Sequence, residues 1–464
     1  MRLIVLVDGE HYPPVTRWGI DTARERGHDV VCALFMGGTE KLQPGALPDL
    51  GVPTRLAGTD RRAALTLTID EFAPEGVLDL SDEPVLGYRD RMELAGVTLA
   101  RGLPYLGADF RLDPPIVGPP LPAPTVAVIG TGKRTGKTAI SGALARLAAR
   151  RGLDPVIVAM GRGGPPEPQI AEAGSVDLAR LLALVRSGEH AASDYLEDAL
   201  TTGVTTIGAR RAGGGLAGAP YATNVREAAE LAVRLGAGVV ILEGSGSAVP
   251  PLPWDAGILV APASVPVEYL AGYLGPFRLL LSDLVVVTMA SGPRAGPEHL
   301  SALRSHIRRF LDDPRQIVTD FIPVPLAEVE GKRVFFTTTA PSAVAEGQIA
   351  HLEAAHGCTV VGWSTRLADR AGLAEDMGGA ERFDVLLTEL KAAAVDVACG
   401  LALERGAEVV FVDNRAIVVE GPTDLDTALG KVIDISVERG EERVRDQERE
   451  RAAAPGRTRN ASQG

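Results

Sequence analysis

The stretch "TVAVIGTGKRTGKTAI" (125–140) constrains the fold more than any other part of this 464-residue chain. An apolar run that predicts a strand leads into a glycine-rich turn, and G-K-T then opens a predicted helix over 136–151. A phosphate-binding loop needs this order, because the N–H groups of the turn and the positive end of the helix face the anion. The stretch therefore predicts a P-loop within an α/β fold.

Within this loop, Lys137 is expected to reach the β- and γ-phosphates of a nucleotide, and Thr138 is expected to hold magnesium. Lys133 and Arg134 add two cations, which are either exposed surface charges or groups that neutralise charge during phosphoryl transfer. Lys133 and Lys137 are both predicted to be catalytic. The predicted nucleotide-binding residues are Gly130, Thr131, Gly132, Lys133, Arg134, Thr135, Gly136, Lys137 and Thr138.

The loop departs from G-x-x-x-x-G-K-[ST], since Thr131 stands where the first glycine is expected. It resembles the loop of dethiobiotin synthetase-like P-loop proteins, G-T-x-x-x-x-G-K-T, which Gly130, Thr131 and "GKT" match. The later stretch "VVILEGSGSAVPP" resembles their E-G-x-G segment, whose glutamate helps to hold magnesium. The resemblance implies Glu243 as a metal ligand, although a glutamate at a strand end is often only solvated. No N-K-x-D guanine motif follows a later strand, which favours ATP.

Proline content divides the chain. The segment "RLDPPIVGPPLPAPT" (111–125) carries six prolines, which helices and central strands exclude. Strands and helices alternate on both sides of it, which predicts an N-terminal Rossmann-like α/β domain (1–115) and a P-loop NTPase-like core with a parallel sheet (124–325). A C-terminal α/β part (326–436) is either separate from the core or continuous with it. Dense mixed charge over 437–464 predicts a tail that begins as a frayed helix and leads into disorder.

Charge and hydropathy exclude several classes of protein. The net charge of −13 argues against a general nucleic-acid binder. No run of about 18 apolar residues predicts a membrane span, and the short N-terminal apolar run is followed at once by Asp8, Glu10 and His11, as in a strand rather than a signal peptide. The three cysteines lack metal-ligand spacing, which is typical of buried thiols in a reducing cytosol. A cytoplasmic protein is therefore expected.

Two loops that combine arginine with glycine predict a small anionic substrate. "AMGRGGPPEP" follows the second core strand, and "TTIGARRAGGGLAGAPYATN" has two arginines before three glycines, although the latter could be only a flexible hairpin. "TELKAAAVDVA" places Lys391 at the expected start of a helix, where a bound anion would offset its repulsion by the helix dipole. The predicted substrate-binding residues are Arg162, Gly163, Gly164, Arg210, Arg211, Gly213, Gly214, Gly215 and Lys391, and both Arg210 and Arg211 are also predicted to be catalytic.

These motifs together resemble the cyclic 2,3-diphosphoglycerate synthetase family, from "LIVLVDGEHYPPVTRWGI" through "GADF", "GTGKRTGKT", "MGRGGPPEP", "ARRAGGGLAGAPYATN", "LEGSGSAVPP" and "TELKAAAVDVA" to "VVFVDN". The resemblance implies a cytosolic, magnesium-dependent homodimer. It also implies that ATP drives closure of 2,3-bisphosphoglycerate through an intramolecular phosphoanhydride, with release of ADP and phosphate. Two alternatives stay open: a P-loop kinase acting on another phosphorylated or carboxylated metabolite, and a nucleotide-switched binding protein.

Overall fold

A computed structural model describes residues 1–38, 47–292, 295–311 and 315–453. The N-terminal unit is a six-stranded sheet of order β3-β2-β1-β4-β5-β6, parallel except for β6. Because the strand order reverses beside β1, this is a Rossmann-like arrangement, as predicted. Its elements are β1 (Arg2–Val7), α1 (Pro13–Glu25), β2 (Asp29–Phe35), β3 (Thr54–Leu56), α2 (Arg61–Phe72), β4 (Gly76–Asp79), α3 (Tyr88–Ala100), β5 (Tyr105–Leu106) and β6 (Arg111–Leu112).

The core that follows is a parallel sheet of order β10-β8-β12-β7-β13-β14-β15, with the predicted P-loop strand β7 at its centre. Its strands are apolar runs because helices or loops cover both faces; every residue of β7 and β12 is buried. The elements are β7 (Thr125–Gly130), α4 (Lys137–Arg150), β8 (Pro155–Gly161), β9 (Gln169–Ala171), α5 (Leu178–Arg186), α6 (Asp194–Thr202), β10 (Thr206–Ala212), β11 (Ala222–Thr223), α7 (Val225–Arg234), β12 (Val239–Glu243), β13 (Ala256–Pro262), α8 (Glu268–Ala271), α9 (Gly275–Leu280), β14 (Leu284–Thr288), α10 (Pro297–Arg308) and β15 (Gln316–Pro325).

The C-terminal part extends the same sheet. The long strand β19 pairs antiparallel with β15 and parallel with β18, so core and C-terminal strands are continuous. The remaining elements are β16 (Arg333–Thr337), α11 (Ser342–His356), β17 (Thr359–Ser364), α12 (Arg370–Gly378), β18 (Val385–Thr388), a π-helical segment (Ala394–Cys399), α13 (Gly400–Glu404), β19 (Glu408–Glu420) and α14 (Leu425–Ala453). Across the described residues, no helix has both the length and the apolar character that a membrane span needs.

The charged tail expected from residue 437 is helical as far as residue 453, because α14 continues to Ala453. Two arginines one helical turn apart hold it to the core. Arg439 Nη2 lies 2.8 Å from Asp283 Oδ1, and Arg443 Nη2 lies 2.9 Å from Asp255 Oδ2. Residues four apart share a helix face, so a charge pattern typical of disorder also supplies a docking surface. The remainder of the predicted tail, 454–464, lies outside the described residues.

The N-terminal unit docks on the core through α3 and α9. Phe277 and Leu274 belong to the apolar core of the N-terminal unit although they follow β13 in the chain. The two helices approach closely at Gly96, where an added Cβ would lie 2.9 Å from the backbone nitrogen of Phe277. Core helix α9 is therefore shared by both units.

A buried carboxylate, Glu93, fixes this junction. Arg62 Nε lies 2.8 Å from Glu93 Oε1, and Arg309 Nη2 donates to both carboxylate oxygens at 3.0 Å. Removing the carboxylate leaves the two arginines without their counter-charge. Because both arginines are partly exposed, solvent screens part of that charge and reduces the loss of stability. We expect Glu93→Ala to lower the free energy of unfolding by about 1–3 kcal/mol in urea titrations. Glu71→Ala, which removes an exposed partner of Arg55, should lower the free energy of unfolding by less than about 1 kcal/mol. Equal losses in the two variants would mean that Glu93 does not stabilise the junction.

Candidate active site

The loop between β7 and α4 is held by glycine geometry and by two neighbouring strands. Gly136 has a φ of +90°, and a Cβ there would clash with the ring of Phe321, so only glycine fits. Thr288 Oγ1 donates to the carbonyl of Thr135 at 2.8 Å. The Thr131 N–H donates to the carbonyl of Val260 at 3.3 Å. These contacts fix the loop from β13, β14 and β15 before any ligand binds.

Lys137 is the first helical residue of α4 and is buried. Its Nζ folds back over the loop, donates to the Gly132 carbonyl at 2.9 Å and lies 3.4 Å from Thr135 Oγ1. Burial lowers the pKa of Lys137 to about 8, against the opposing effect of the Glu243 and Asp194 carboxylates. Within the described residues, the hydrogen bonds of this ammonium go to a neutral carbonyl and a neutral hydroxyl. Phosphate oxygens could replace both partners without breaking an ion pair.

Glu243 stands at the carboxyl end of β12, beside the first turn of α4. Thr138 Oγ1 donates to Glu243 Oε1 at 2.8 Å, and Ser141 Oγ donates to Oε2 at 2.7 Å. Burial raises the pKa of the Glu243 carboxyl although both hydroxyl contacts oppose this. The structure thus brings together the two predicted metal ligands, Thr138 and Glu243.

Two cations face the same end of the sheet. An added Cβ on Gly246 would lie 3.2 Å from Arg211 Nη2 and 3.8 Å from Arg162 Nη2, so the two guanidinium groups are neighbours. Burial and the charge of Arg162 lower the pKa of Arg211. Neither arginine forms an ion pair with any carboxylate in the described part of the chain. Two adjacent guanidinium groups without an ion-paired carboxylate in the described residues are suited to binding an anion.

Arg210 points elsewhere. Neighbouring residues of a strand face opposite sides of the sheet, and Arg210 Nε donates to the carbonyl of Pro165 at 2.9 Å. Gly164 fits against the same strand, since a Cβ there would clash with the carbonyl of Ala209. Arg210 and Gly164 therefore join the two predicted substrate loops to each other. Gly213, Gly214 and Gly215 are exposed beyond the end of that strand.

The other predicted cations lie in two different settings. Lys133 and Arg134 are exposed at the tip of the P-loop. Lys391 does not begin a helix: the π-helical segment starts three residues later, at Ala394. Its Nζ lies 3.2 Å from Glu197 Oε1. Although burial opposes it, the carboxylates of Glu197 and Glu389 raise the pKa of Lys391. Part of its charge is therefore already balanced within the protein.

Helix α6 supplies acidic residues that the sequence predictions missed. Asp198 is completely buried, and among the described residues no hydrogen-bond donor reaches its carboxylate oxygens. Burial and the nearby Glu243 raise its pKa well above the usual range. Asp194, one turn earlier, lies beside Gly161, where an added Cβ would be 3.2 Å from Asp194 Oδ2. The available signal was an aspartate on the apolar face of an amphipathic helix, next to Leu196 and Ala199.

A buried lysine at the start of a helix, with a hydroxyl–carboxylate pair beside it and the strand–loop–helix order around it, defines a P-loop nucleotide-binding protein. Arg162 and Arg211 lie close enough for their charges to lower the pKa of Lys137 further. The chain belongs to the cyclic 2,3-diphosphoglycerate synthetase family: it matches that family's N-terminal domain over residues 2–113, its P-loop domain over 125–319 and its C-terminal domain over 325–415.

Curated relatives match over nearly their whole length. The cyclic 2,3-diphosphoglycerate synthetase of Rubrobacter xylanophilus is 47% identical over 432 residues, covering 92% of this chain and 96% of that relative. The synthetase of Methanothermobacter thermautotrophicus is 42% identical over 450 residues, covering 94% and 96%. Among solved structures, LpxK from Aquifex aeolicus in complex with ATP covers 68% of this chain and 90% of that chain, with 16% identity and a TM-score of 0.38, too distant to define a common fold.

Proposed function

We propose that this protein is an ATP-dependent ligase that closes 2,3-bisphosphoglycerate into cyclic 2,3-diphosphoglycerate, with release of ADP and phosphate. Membership of the family across all three domains supports the reaction. The observation that carries it at the level of residues is the convergence of Lys137, Arg162 and Arg211 at the P-loop. We further propose that the enzyme acts in the cytoplasm as a homodimer.

The chemistry explains the need for so many cations. Neither phosphate ester of the substrate has a good leaving group. A non-bridging oxygen of one phosphate attacks the γ-phosphorus of ATP, the bond from that phosphorus to the β–γ bridging oxygen breaks, and ADP leaves. An oxygen of the second substrate phosphate then attacks the phosphorus of the first substrate phosphate. This attack closes the anhydride ring and expels the transferred group as orthophosphate. Holding both phosphates together can lower the barrier by about 7–11 kcal/mol in well-oriented cases, provided that cations offset their repulsion.

The residues present fit magnesium. Hard oxygen donors suit this ion, which usually keeps several waters and binds through one or two protein groups together with phosphate oxygens. Among the described residues no group of three acidic, histidine or cysteine side chains is placed to hold a metal, so Thr138 and Glu243 would hold it with the nucleotide. Asp198 lies behind Glu243, and its raised pKa favours the neutral carboxylic acid there. When bound, magnesium neutralises phosphate charge.

Replacing Glu243 with glutamine tests the metal site. The amide is neutral and presents an NH₂ group to hydroxyls that now donate to a carboxylate, so we expect affinity for Mg²⁺ in the presence of ADP to fall by about 10–100-fold. Isothermal titration of Mg²⁺ into the ADP-bound protein measures this directly. Asp255→Asn is the matched control, because Asp255 is a buried carboxylate that pairs with Arg443 instead. Unchanged Mg²⁺ affinity in Glu243→Gln would exclude Glu243 as a ligand.

Phosphorus NMR tests the reaction itself. Incubation with ATP, Mg²⁺ and 2,3-bisphosphoglycerate should give a cyclic anhydride, ADP and phosphate. A kinase acting on another metabolite would give no ring, and a nucleotide-switched binding protein would not turn over small phosphorylated acids. With oxygen-18 in the non-bridging positions of the substrate phosphates, label should appear in the released orthophosphate. If all phosphate oxygen came from ATP or water, the two-step route would be wrong.

A further inference from the structure

Arg278, on α9, is a buried cation without an acidic partner. Its Nη1 donates to the carbonyl of Leu274 at 3.1 Å and its Nη2 to that of Ser247 at 2.7 Å, while Nε finds no partner in the part of the chain that the structure describes. In the described ranges no carboxylate forms an ion pair with it. Burial lowers the pKa of Arg278 to about 10. A desolvated charge without a counterion is costly, so the hydrogen bond that Arg278 donates to a distant segment, at Ser247, is informative.

Ser247 lies in the short turn that follows Glu243. Two arginines hold the carbonyls of this turn: Arg211 Nη2 donates to Ser245 O at 2.8 Å, and Arg278 donates to Ser247 O. The turn is closed by the Ala248 N–H, which donates to Ser245 O at 3.1 Å. Its position therefore determines where the Arg211 guanidinium sits, next to the P-loop.

The glycine-rich loop after β10 packs against the hydrogen bond between Arg278 and the Ser247 carbonyl. The Val249 N–H donates to the carbonyl of Gly218 at 2.9 Å. A Cβ on Gly218, whose φ is +89°, would lie 3.0 Å from Ser247 O and 3.1 Å from Arg278 Nη2. Arg278 thus lies beneath two loops at once, the turn after Glu243 and the glycine-rich loop that follows β10.

The opposite side of α9 belongs to the N-terminal unit. Phe277, the residue before Arg278, is completely buried in the apolar core of that unit and abuts Gly96 of α3. One short helix therefore carries an apolar anchor in one unit and a guanidinium under the active-site loops of the other.

We propose that Arg278 is a positioning residue through which the docked N-terminal unit holds the Ser245–Ser247 turn, and with it Arg211, in place for the substrate. The inference rests on the proposed function, since it concerns the site for 2,3-bisphosphoglycerate. Arg278 contacts neither nucleotide nor substrate. It acts through the Ser247 carbonyl, so its loss affects the substrate side of the site, while the P-loop keeps its own supports from Thr288 and Val260.

Arg278→Met tests the proposal, because methionine fills much of the same space without the guanidinium. We expect the KM for 2,3-bisphosphoglycerate to rise about tenfold or more, the KM for ATP to change less than about twofold, and the thermal unfolding midpoint to stay the same or rise. Arg226→Met is the matched control, since Arg226 also donates to two backbone carbonyls, those of Val117 and Pro119, but on the linker. It should leave both KM values unchanged.

Arg278→Lys, which keeps the buried charge but loses the two-armed donor, gives a second measurement if the methionine variant does not fold. A raised KM for 2,3-bisphosphoglycerate alone supports the proposal in either variant. Wild-type kinetics, or equal rises in both KM values together with a lower unfolding midpoint, would overturn it. Absence of a cyclic product with the wild-type protein would instead overturn the proposed function, and the inference with it.

Discussion

Lys137→Met is expected to reduce turnover by about 1,000-fold or more while leaving the fold intact. The Lys137 ammonium already lies over the P-loop, where its partners are the Gly132 carbonyl and the Thr135 hydroxyl. Preorganised cations of this kind act on charge that develops in the transition state, and removing one fixed donor commonly costs about 100–1,000-fold. We expect a loss at or above the upper end of this range because Lys137 carries a full charge in a buried site. Single-turnover formation of ADP, measured at saturating ATP and substrate, reports it.

The same substitution should stabilise the protein at neutral pH. The pKa of Lys137 falls from its ordinary 10.5 to about 8 on burial, so between these values the unfolded state binds more protons than the folded state. The wild-type protein therefore loses stability as the pH falls from 10.5 to 8, whereas Lys137→Met does not. The variant's advantage in free energy of unfolding should be largest, at most about 3 kcal/mol, below pH 8 and should shrink as the pH rises towards 10.5.

Three results would contradict this account of Lys137. Substantial turnover in Lys137→Met would place the nucleotide elsewhere. A variant that is less stable than the wild type at pH 7 would mean that the lysine supports the fold rather than the ligand. A stability difference that does not depend on pH between 8 and 10.5 would mean that the buried ammonium is not responsible for it.

Local patterns predicted the P-loop, its strand and its helix because these depend on residues adjacent in the chain. The turn chemistry of Gly136, the apolar run of β7 and the amphipathic α4 are all contained in about 25 residues. The same is true of the alternating strands and helices that defined the α/β class. The pairing of Thr138 with Glu243, 105 residues apart, was accessible only because a resemblance named both residues.

Other parts of the site depend on packing that no local pattern encodes. Asp198 belongs to the site because α6 packs it, buried, near Glu243, and no local sequence pattern indicates this contact. Lys391 is predicted to bind substrate, and tertiary packing, which no local pattern encodes, brings Glu197, nearly 200 residues earlier in the chain, to within 3.2 Å of it. Dense charge in α14 indicates a frayed helix, and the sequence does not reveal that two of its arginines form ion pairs with acidic residues of the core.

Arg211→Met is expected to lower turnover by about 100–1,000-fold, while Arg210→Met lowers it by less than about tenfold. The sequence predicted that both adjacent arginines are catalytic and did not distinguish them. In the structure, Arg211 has Arg162 beside it and a contact with the turn after Glu243, whereas Arg210 donates to the Pro165 carbonyl. A cation at the anion site can offset the charge that builds up as two phosphates approach, at a cost typical of a fixed donor when it is lost. Arg210, whose guanidinium binds the Pro165 carbonyl away from this site, cannot offset that charge.

The two variants differ by one position, carry the same change in charge and length, and come from one strand, so each is the control for the other. The turnover number at saturating ATP, 2,3-bisphosphoglycerate and Mg²⁺, followed by release of orthophosphate, separates them. Thermal unfolding is the second measurement: Arg210 donates to the Pro165 carbonyl and Arg211 to the Ser245 carbonyl, so both variants should lose some stability, and a large loss of turnover confined to Arg211→Met would not follow from unfolding. An equal or larger loss of turnover in Arg210→Met would mean that the loop after β10 changes its register when substrate binds, and that the guanidinium facing away in this structure turns into the site.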